Sequence, residues 1–186
     1  MMNKCYVFIG PSGSGKTSIA NALFEPKEKI VTSTTRPPRK GETDQKDYYF
    51  LSEDKFEQLI TEQAFVEWDE YAGHKYGSTK REIAQKLKNG DCYTILTAAG
   101  FWALFHAFGE QIQPVFVTIA KNKLKQRLEQ RGDAPDQIKK RLALFEQDTK
   151  KLDELKKRPN LIVLANNEGL EATKNQFKRQ IKMLKE

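Results

Sequence analysis

Residues 10–17 of this 186-residue chain read Gly10-Pro11-Ser12-Gly13-Ser14-Gly15-Lys16-Thr17. The stretch fits the pattern G-x-x-x-x-G-K-[ST], which holds phosphate groups when it connects a strand to a helix. Its glycines let several backbone N–H groups point at one anion and remove side chains that would block the approach. The apolar run before it (residues 6–9) predicts a buried strand. The run after it (16–24) predicts a helix whose positive end faces the phosphates.

Two side chains of this motif carry its chemistry. Lys16 can reach the β- and γ-phosphates of ATP as a point charge, and the Thr17 hydroxyl can ligate Mg²⁺. We therefore expect ATP as the phosphoryl donor, Mg²⁺ as the cofactor and Thr17 as the metal ligand. The predicted ATP-binding residues are Gly10, Pro11, Ser12, Gly13, Ser14, Gly15, Lys16, Thr17 and Ser18.

Short apolar runs alternate with segments of helical periodicity along the rest of the chain. The alternation predicts an α/β fold of the P-loop NTPase kind, with three layers and a parallel core sheet covered by helices on both faces. Residues 32–77 break this rhythm and predict a small strand-rich subdomain. Strands are expected there at 30–34, 48–51 and 64–68, with a helix at 53–61 that Ser52 caps. Thr79 and Glu82 have the spacing of a capping box for the next helix.

Composition limits the partners. The net charge is +7, with 38% hydrophobic and 31% charged residues. No apolar run approaches the roughly 20 residues of a membrane span, and a cleaved leader would remove the phosphate motif, so we expect a cytoplasmic protein. Cys5 and Cys92 lie in apolar segments and are expected to be buried, reduced thiols. The positive charge alone does not indicate nucleic acid, since no basic motif interleaved with aromatic residues accompanies it.

A second phosphate site is indicated by residues 33–42, which contain two arginines three positions apart and two prolines. The prolines restrict the loop, and guanidinium groups bind phosphate oxygens in bidentate fashion. Arg36 and Arg39 are therefore candidates for an acceptor phosphate, and tyrosine hydroxyls of residues 48–49 can complete its shell.

At this point the sequence resembles the guanylate kinase family, over about residues 5–172. Most of the family pattern S-T-T-R-x-P-R-x-G-E followed by D-Y-x-F is present at residues 33–50. The likeness continues in the following segments: Phe65-Val66-Glu67-Trp68, Tyr76-Gly77-Ser78-Thr79, Arg131-Gly132, Arg141-Leu142 and Asn166-Asn167.

The resemblance implies a role for each matched residue. The GMP phosphate would be held by Arg36, Arg39, Tyr48 and Tyr76. The guanine would be faced by Thr32, Glu67, Ser78 and Thr97, since its N1–H and N2 amino donors need acceptors. The catalytic set would be Lys16, Arg36, Arg131 and Arg141, the last two in a mobile helical lid. The implied layout is a single domain over 1–186, with a core (1–31, 78–120 and 158–186), an acceptor-binding subdomain (32–77) and a lid with flanking helices (121–157).

The chain departs from the family pattern at two places. The family usually ends its third core strand with Asp-x-Asp, whereas Ile95 and Thr97 stand at those positions here. Thr97 can still form a hydrogen bond but carries no charge. The second departure is Gln45, where the family has glycine, and it should alter only a loop turn.

The expected function is ATP-dependent phosphorylation of GMP, and of dGMP, to the diphosphate in purine nucleotide metabolism. A related P-loop kinase for another phosphorylated nucleotide or sugar is the enzymatic alternative, favoured by the missing acid pair. A non-catalytic guanylate-kinase-like binding module is the other, but such modules typically lose the P-loop lysine, and Lys16 is present. We expect ATP and GMP as partners, no nucleic acid or membrane, and a monomer or homodimer.

Overall fold

The computed structural model describes residues 2–71 and 73–185. The strands are β1 (Cys5–Ile9), β2 (Ser33–Thr34), β3 (Tyr49–Phe50), β4 (Phe65–Tyr71), β5 (His74–Thr79), β6 (Cys92–Ile95), β7 (Ile112–Thr118) and β8 (Ile162–Ala165). The α-helices are α1 (Lys16–Leu23), α2 (Glu53–Thr61), α3 (Lys80–Asn89), α4 (Ala98–Phe108), α5 (Lys121–Gln130), α6 (Pro135–Leu155) and α7 (Leu170–Lys185). Single 3₁₀ turns lie at Pro26–Glu28 and Gly109–Gln111.

The core sheet has the order β6-β1-β7-β8 and all its pairings are parallel. All five residues of β1 are buried, as expected of a strand covered on both faces. Tyr6 and Phe8 pack on one face with α1 and α7, whereas Val7 and Ile9 pack on the other with α3, α4 and α6. The three-layer α/β prediction is therefore confirmed.

A second sheet, of order β3-β2-β5-β4, accounts for the interruption of the core pattern. Its β2–β5 and β4–β5 pairings are antiparallel. Strand β5 was not predicted, because residues 74–79 carry no apolar alternation; its partners on both sides hold it extended. The prediction of a strand at 30–34 was too long. The Ile30 N–H bonds to the Tyr93 carbonyl of the core sheet at 2.9 Å, and only Ser33 and Thr34 join the second sheet.

Helix α3 ties the two sheets together through a buried carboxylate. Thr79 caps the helix as predicted, its hydroxyl accepting from the Glu82 N–H at 3.2 Å. The prediction of a full capping box is wrong, however, because the Glu82 side chain does not accept from the Thr79 N–H. The Glu82 carboxylate accepts instead from the Val31 N–H at 3.1 Å and from the Tyr49 hydroxyl at 3.0 Å. Glu82 thus links the core to the segment entering the second sheet and to β3.

The turn at Gln45 keeps the conformation that a glycine would adopt freely. Its φ is 63°, in the left-handed region, and its N–H donates to the Tyr48 carbonyl at 2.8 Å. The substitution therefore costs on the order of 1 kcal/mol of backbone strain.

Cys5 and Cys92 are free, buried thiols at paired positions of β1 and β6, as predicted. The hydrogen bond between them, together with burial, raises the pKa of the Cys5 thiol. Across the described ranges, 2–71 and 73–185, no helix is both long and apolar enough to cross a membrane.

Candidate active site

The phosphate loop connects β1 to α1 through close backbone packing. Gly10 has φ 139°, and a Cβ there would lie 2.3 Å from the Val117 carbonyl oxygen. Gly15 has φ 95°, and a Cβ there would lie 2.4 Å from the Asn166 side-chain amide. Both positions therefore require glycine, and the loop ends directly at the N-terminus of α1, where free N–H groups attract anions.

The Lys16 ammonium folds back over this loop. Its Nζ donates to the carbonyls of Gly10 at 2.7 Å and Pro11 at 2.9 Å. Burial lowers the pKa of Lys16 to about 8, and the negative charge of Asp148 partly opposes that shift. The ammonium is thus poorly hydrated and held by neutral oxygens, so a phosphate would be a stronger partner.

A cleft of about 580 Å³ opens beside the loop and contains the predicted triphosphate-binding side chains. Its lining includes Lys16, Thr17, Ser18 and Arg131, as expected, and also Arg127 and Asn166. The Arg127 guanidinium donates to the Asn166 carbonyl at 2.8 Å. The Asn166 amide donates to the Ser14 carbonyl at 2.8 Å.

Sequence reasoning assigned no role to Arg127 and noted Asn166 only for its family likeness. The position of Asn166 was predictable, since it directly follows β8 and ligands of parallel sheets bind at the carboxyl ends of the strands. Arg127 gave no such signal, because it is one of several basic residues along α5.

Arg131 and Arg141, the two arginines predicted for a lid, share one carboxylate. The Nε of Arg131 donates to Asp133 at 2.7 Å, and the Nε of Arg141 lies 3.4 Å from the same carboxylate. These cations lower the pKa of Asp133, Arg131 having the larger effect. Arg141 also reaches the phosphate loop, where it donates to the Ser12 hydroxyl at 2.5 Å. Of these two arginines, Arg141 is therefore the one that is hydrogen-bonded to the phosphate loop.

The arginine loop places its two arginines in different surroundings. Arg36 is buried; it donates to Glu42 at 2.8 Å and to the Pro37 carbonyl at 2.7 Å. Its guanidinium lies 5.4 Å from the ring centre of Tyr48, whose ring is 6.1 Å from that of Tyr76. Arg36, Tyr48 and Tyr76 are thus brought together, as predicted for a phosphate site.

Arg39, by contrast, lies on the exposed part of the same loop. Its backbone N–H donates to Glu42 at 2.7 Å, so Glu42 holds the loop at both arginines. The hydrogen bond from Arg36, and then the one from the Arg39 N–H, lower the pKa of Glu42.

A carboxylate and a hydroxyl face one another on the second sheet. Glu67 of β4 is the cross-strand partner of Ser78 of β5. Burial raises the pKa of Glu67. The Ser78 hydroxyl is fully buried and faces this carboxylate, and its interaction with Glu67 partly opposes the rise in pKa. Glu67 and Ser78 thus form one polar pair on the second sheet.

A central cleft of about 370 Å³ joins the two halves of the site. Its lining includes Lys16 of the phosphate loop, Glu67 of the second sheet, and Ile95 and Thr97 at the end of β6. Asp69 and Asp148, which sequence reasoning did not select, also line it. Thr32 does not; it lies with Tyr48 and Thr17 in an adjoining cavity of about 310 Å³.

Thr97 has a structural duty as well. Its hydroxyl accepts from the Gly100 N–H at 3.1 Å and so caps α4, which starts at Ala98. One of the two acceptor lone pairs of the Thr97 oxygen is therefore engaged, which leaves the other lone pair and the O–H donor for a ligand.

Comparison with known proteins agrees with this geometry. A sequence model of guanylate kinase matches residues 2–184. The chain belongs to the guanylate kinase family. Guanylate kinase from Thermus thermophilus is 35% identical over 146 residues, which are 76% of this chain and 66% of the relative. Guanylate kinase from a Nostoc species is 30% identical over 159 residues, 83% of this chain and 80% of the relative.

In length, this guanylate kinase family member spans slightly less than two thirds of the Thermus relative and most of the Nostoc one. A solved guanylate kinase from Anaplasma phagocytophilum shares the fold, with a TM-score of 0.68 and 23% identity over 98% of this chain and 86% of that one. The family and fold predictions are confirmed, and the comparisons support the predicted kinase activity without favouring another acceptor or a binding module. The individual site residues stay predictions.

Proposed function

We propose that this guanylate kinase family member transfers the γ-phosphoryl group of ATP to the phosphate of GMP, giving ADP and GDP. The observation that carries the proposal is the central cleft, which is lined both by Lys16 of the phosphate loop and by Glu67 of the second sheet. Such a cleft accommodates a donor phosphate on one side and an acceptor base on the other. The bond from the γ-phosphorus to its bridging oxygen breaks, and one from a GMP phosphate oxygen forms.

On the donor side, the backbone N–H groups of residues 10–17 and the Lys16 ammonium would hold the phosphates. Lys16 would exchange its carbonyl partners, Gly10 and Pro11, for phosphate oxygens. Mg²⁺ usually takes one or two protein ligands and completes its shell with phosphate and water. Thr17, at the start of α1 beside Lys16, fits this requirement. The ion would neutralise charge on the β- and γ-phosphates.

On the acceptor side, Arg36, Arg39, Tyr48 and Tyr76 would hold the GMP phosphate. Arg36 is held in place by Glu42 and by the ring of Tyr48, so its fork is positioned before substrate binds. Glu67 would accept from the guanine N1–H and N2 amino groups. Ser78, which is buried opposite Glu67, would contribute its hydroxyl to the same base.

The lid arginines would complete the charge around the transferring group. Arg141 already touches the phosphate loop at Ser12, while Arg131 is held by Asp133. We propose that Arg131 leaves Asp133 for phosphate oxygens when residues 121–157 close over the core as a lid, with 32–77 as the acceptor-binding subdomain. Closure excludes water, which suppresses ATP hydrolysis.

The free thiols Cys5 and Cys92 are compatible with a reducing compartment, and we propose the cytoplasm, where nucleotide monophosphates are interconverted. The proposed partners are ATP and GMP, with a monomeric or homodimeric protein and no nucleic-acid or membrane partner.

The test is a coupled assay of ATP-to-ADP conversion with GMP, AMP, UMP, CMP and ribose 5-phosphate as acceptors, for wild type and Lys16→Ala. We expect GMP to be the best acceptor, and transfer to be abolished in Lys16→Ala while its melting temperature stays within a few degrees of wild type. A different preferred acceptor would refute the guanine assignment but keep the P-loop kinase. Retained activity in Lys16→Ala would refute the phosphate-loop assignment.

A further inference from the structure

Asp69 is a carboxylate in the central cleft that the proposed chemistry leaves without a role. It lines the cleft together with Lys16, Glu67 and Thr97. One of its oxygens accepts from the Glu70 N–H at 2.8 Å, and it forms no ion pair in the part of the chain that the structure describes. Its negative charge contributes to the raised pKa of Glu67, after burial. An acidic side chain beside a site for an anionic substrate requires an explanation.

The register of the second sheet fixes where Asp69 stands. Glu67 pairs with Ser78, and Asp69 pairs with Tyr76 in the next row on the same face. The rows are about 7 Å apart, because residues i and i+2 of a strand share a face. The opposite face is turned toward α2: the Trp68 ring there lies 6.4 Å from the Phe56 ring, although Trp68 stays partly exposed.

These two rows match the two ends of a nucleoside monophosphate. In the proposed function the base lies at the Glu67–Ser78 row, and the phosphate lies toward Tyr76 and Arg36. The ribose joins the base to the phosphate. Of the four residues in the two rows, Asp69 is the one not assigned to the base or the phosphate, and the ribose passes in front of it.

The hydrogen-bond donors of GMP also point to the Asp69 carboxylate as the partner of the ribose. GMP carries hydrogen-bond donors at N1, at the N2 amino group and at the two ribose hydroxyls. One carboxylate, Glu67, can accept from N1 and N2 in bidentate fashion, and the phosphate has no proton to offer at neutral pH. One N2 proton and the two ribose hydroxyls are then left. The ribose hydroxyls are the donors that lie toward the phosphate, and a free Asp69 oxygen can accept from them.

We propose that Asp69 accepts a hydrogen bond from the ribose diol of the acceptor and makes this enzyme prefer ribonucleotide over deoxyribonucleotide acceptors. The inference rests on the proposed function. It predicts that dGMP is a poorer substrate than GMP. A deoxyribonucleotide would bury the Asp69 carboxylate without offering it the ribose hydroxyl as a hydrogen-bond donor.

The experiment compares kcat/KM for GMP, 2′-deoxy-GMP and 3′-deoxy-GMP in wild type, Asp69→Ala and Glu70→Ala. Glu70→Ala is the matched control, because it removes the same charge one residue away. Glu70 lies on the α2 face of β4 and pairs with Lys75. Wild type should favour GMP over at least one deoxy analogue by roughly tenfold to a hundredfold, the range for a hydrogen bond to a charged group. Asp69→Ala should bring GMP down to the value of that analogue, whereas Glu70→Ala should keep the wild-type ratio.

Three results would overturn the inference. Equal kcat/KM for all three nucleotides in wild type would remove ribose recognition while leaving the proposed function intact. An equal loss on all three in Asp69→Ala would assign the carboxylate to the transfer step or to stability instead. Wild type that phosphorylates no guanine nucleotide would overturn the proposed function together with this inference. Thermal melting of each variant separates a fold defect from a lost contact.

Discussion

The ionisation of Lys16 gives a prediction with a defined pH range. Burial lowers the pKa of this ammonium to about 8, so in the free protein its charge is lost as the pH rises through 8. Bound ATP phosphates favour the charged form and raise this pKa again. ATP binding above pH 8 therefore takes up a proton, and the affinity must fall as the pH rises.

The magnitude follows from the charged fraction. With a pKa of about 8, about 90% of Lys16 is protonated at pH 7 and about 10% at pH 9. If only the charged form binds the phosphates, the apparent Kd for Mg-ATP should rise about tenfold between these pH values. Lys16→Arg should show no such rise, because a guanidinium stays charged throughout.

Isothermal titration at pH 7, 8 and 9, in two buffers of different ionisation enthalpy, measures both the Kd and the proton uptake. Asp148→Asn offers a second check, since the Asp148 charge raises the pKa of Lys16 and its loss should move the transition to lower pH. A flat Kd in wild type, or an equal slope in Lys16→Arg, would refute this assignment of the titrating group.

Three further predictions follow from the acceptor side. Arg39→Ala should raise the KM for GMP by roughly tenfold to a hundredfold, the scale of a lost charge-assisted hydrogen bond. The KM for ATP and the melting temperature should change little, because Arg39 is exposed. Lys40→Ala is the control, and an equal effect of Arg39→Ala on both substrates would exclude Arg39 from the acceptor site. Glu82→Ala should lower the free energy of unfolding by about 1–3 kcal/mol in denaturant titrations, because the Val31 N–H loses its acceptor. Glu82→Gln should keep most of the wild-type stability. An unchanged free energy of unfolding in Glu82→Ala would contradict the link between the core and the second sheet. Thr97→Asp should raise the GMP-to-AMP ratio of kcat/KM by about tenfold, because aspartate can cap α4 and still offer an oxygen to the base. Lower activity of this variant on every acceptor would instead mean that Ile95 has changed the shape of the pocket.

The sequence alone determined the elements whose signals are local. The phosphate loop needs glycine at defined positions next to a strand and a helix, so the motif at residues 10–17 identifies it without any knowledge of tertiary contacts. The alternation of buried strands and helices likewise determined the core sheet. The family likeness then supplied the acceptor residues on the second sheet, including Glu67 and Ser78.

Tertiary structure decided what depends on register and on distant contacts. Strand β5 has no period-2 pattern and is extended only because β2 and β4 pair with it. Glu82 has capping spacing, yet its carboxylate bonds to Val31, 51 residues away in sequence. Asp69 reads as one more exposed acidic residue until the pairing of β4 with β5 places it beside Tyr76 in the cleft. Local sequence encodes propensity and motif, whereas the partners of a buried or cleft-lining polar group are chosen only when separate segments pack together.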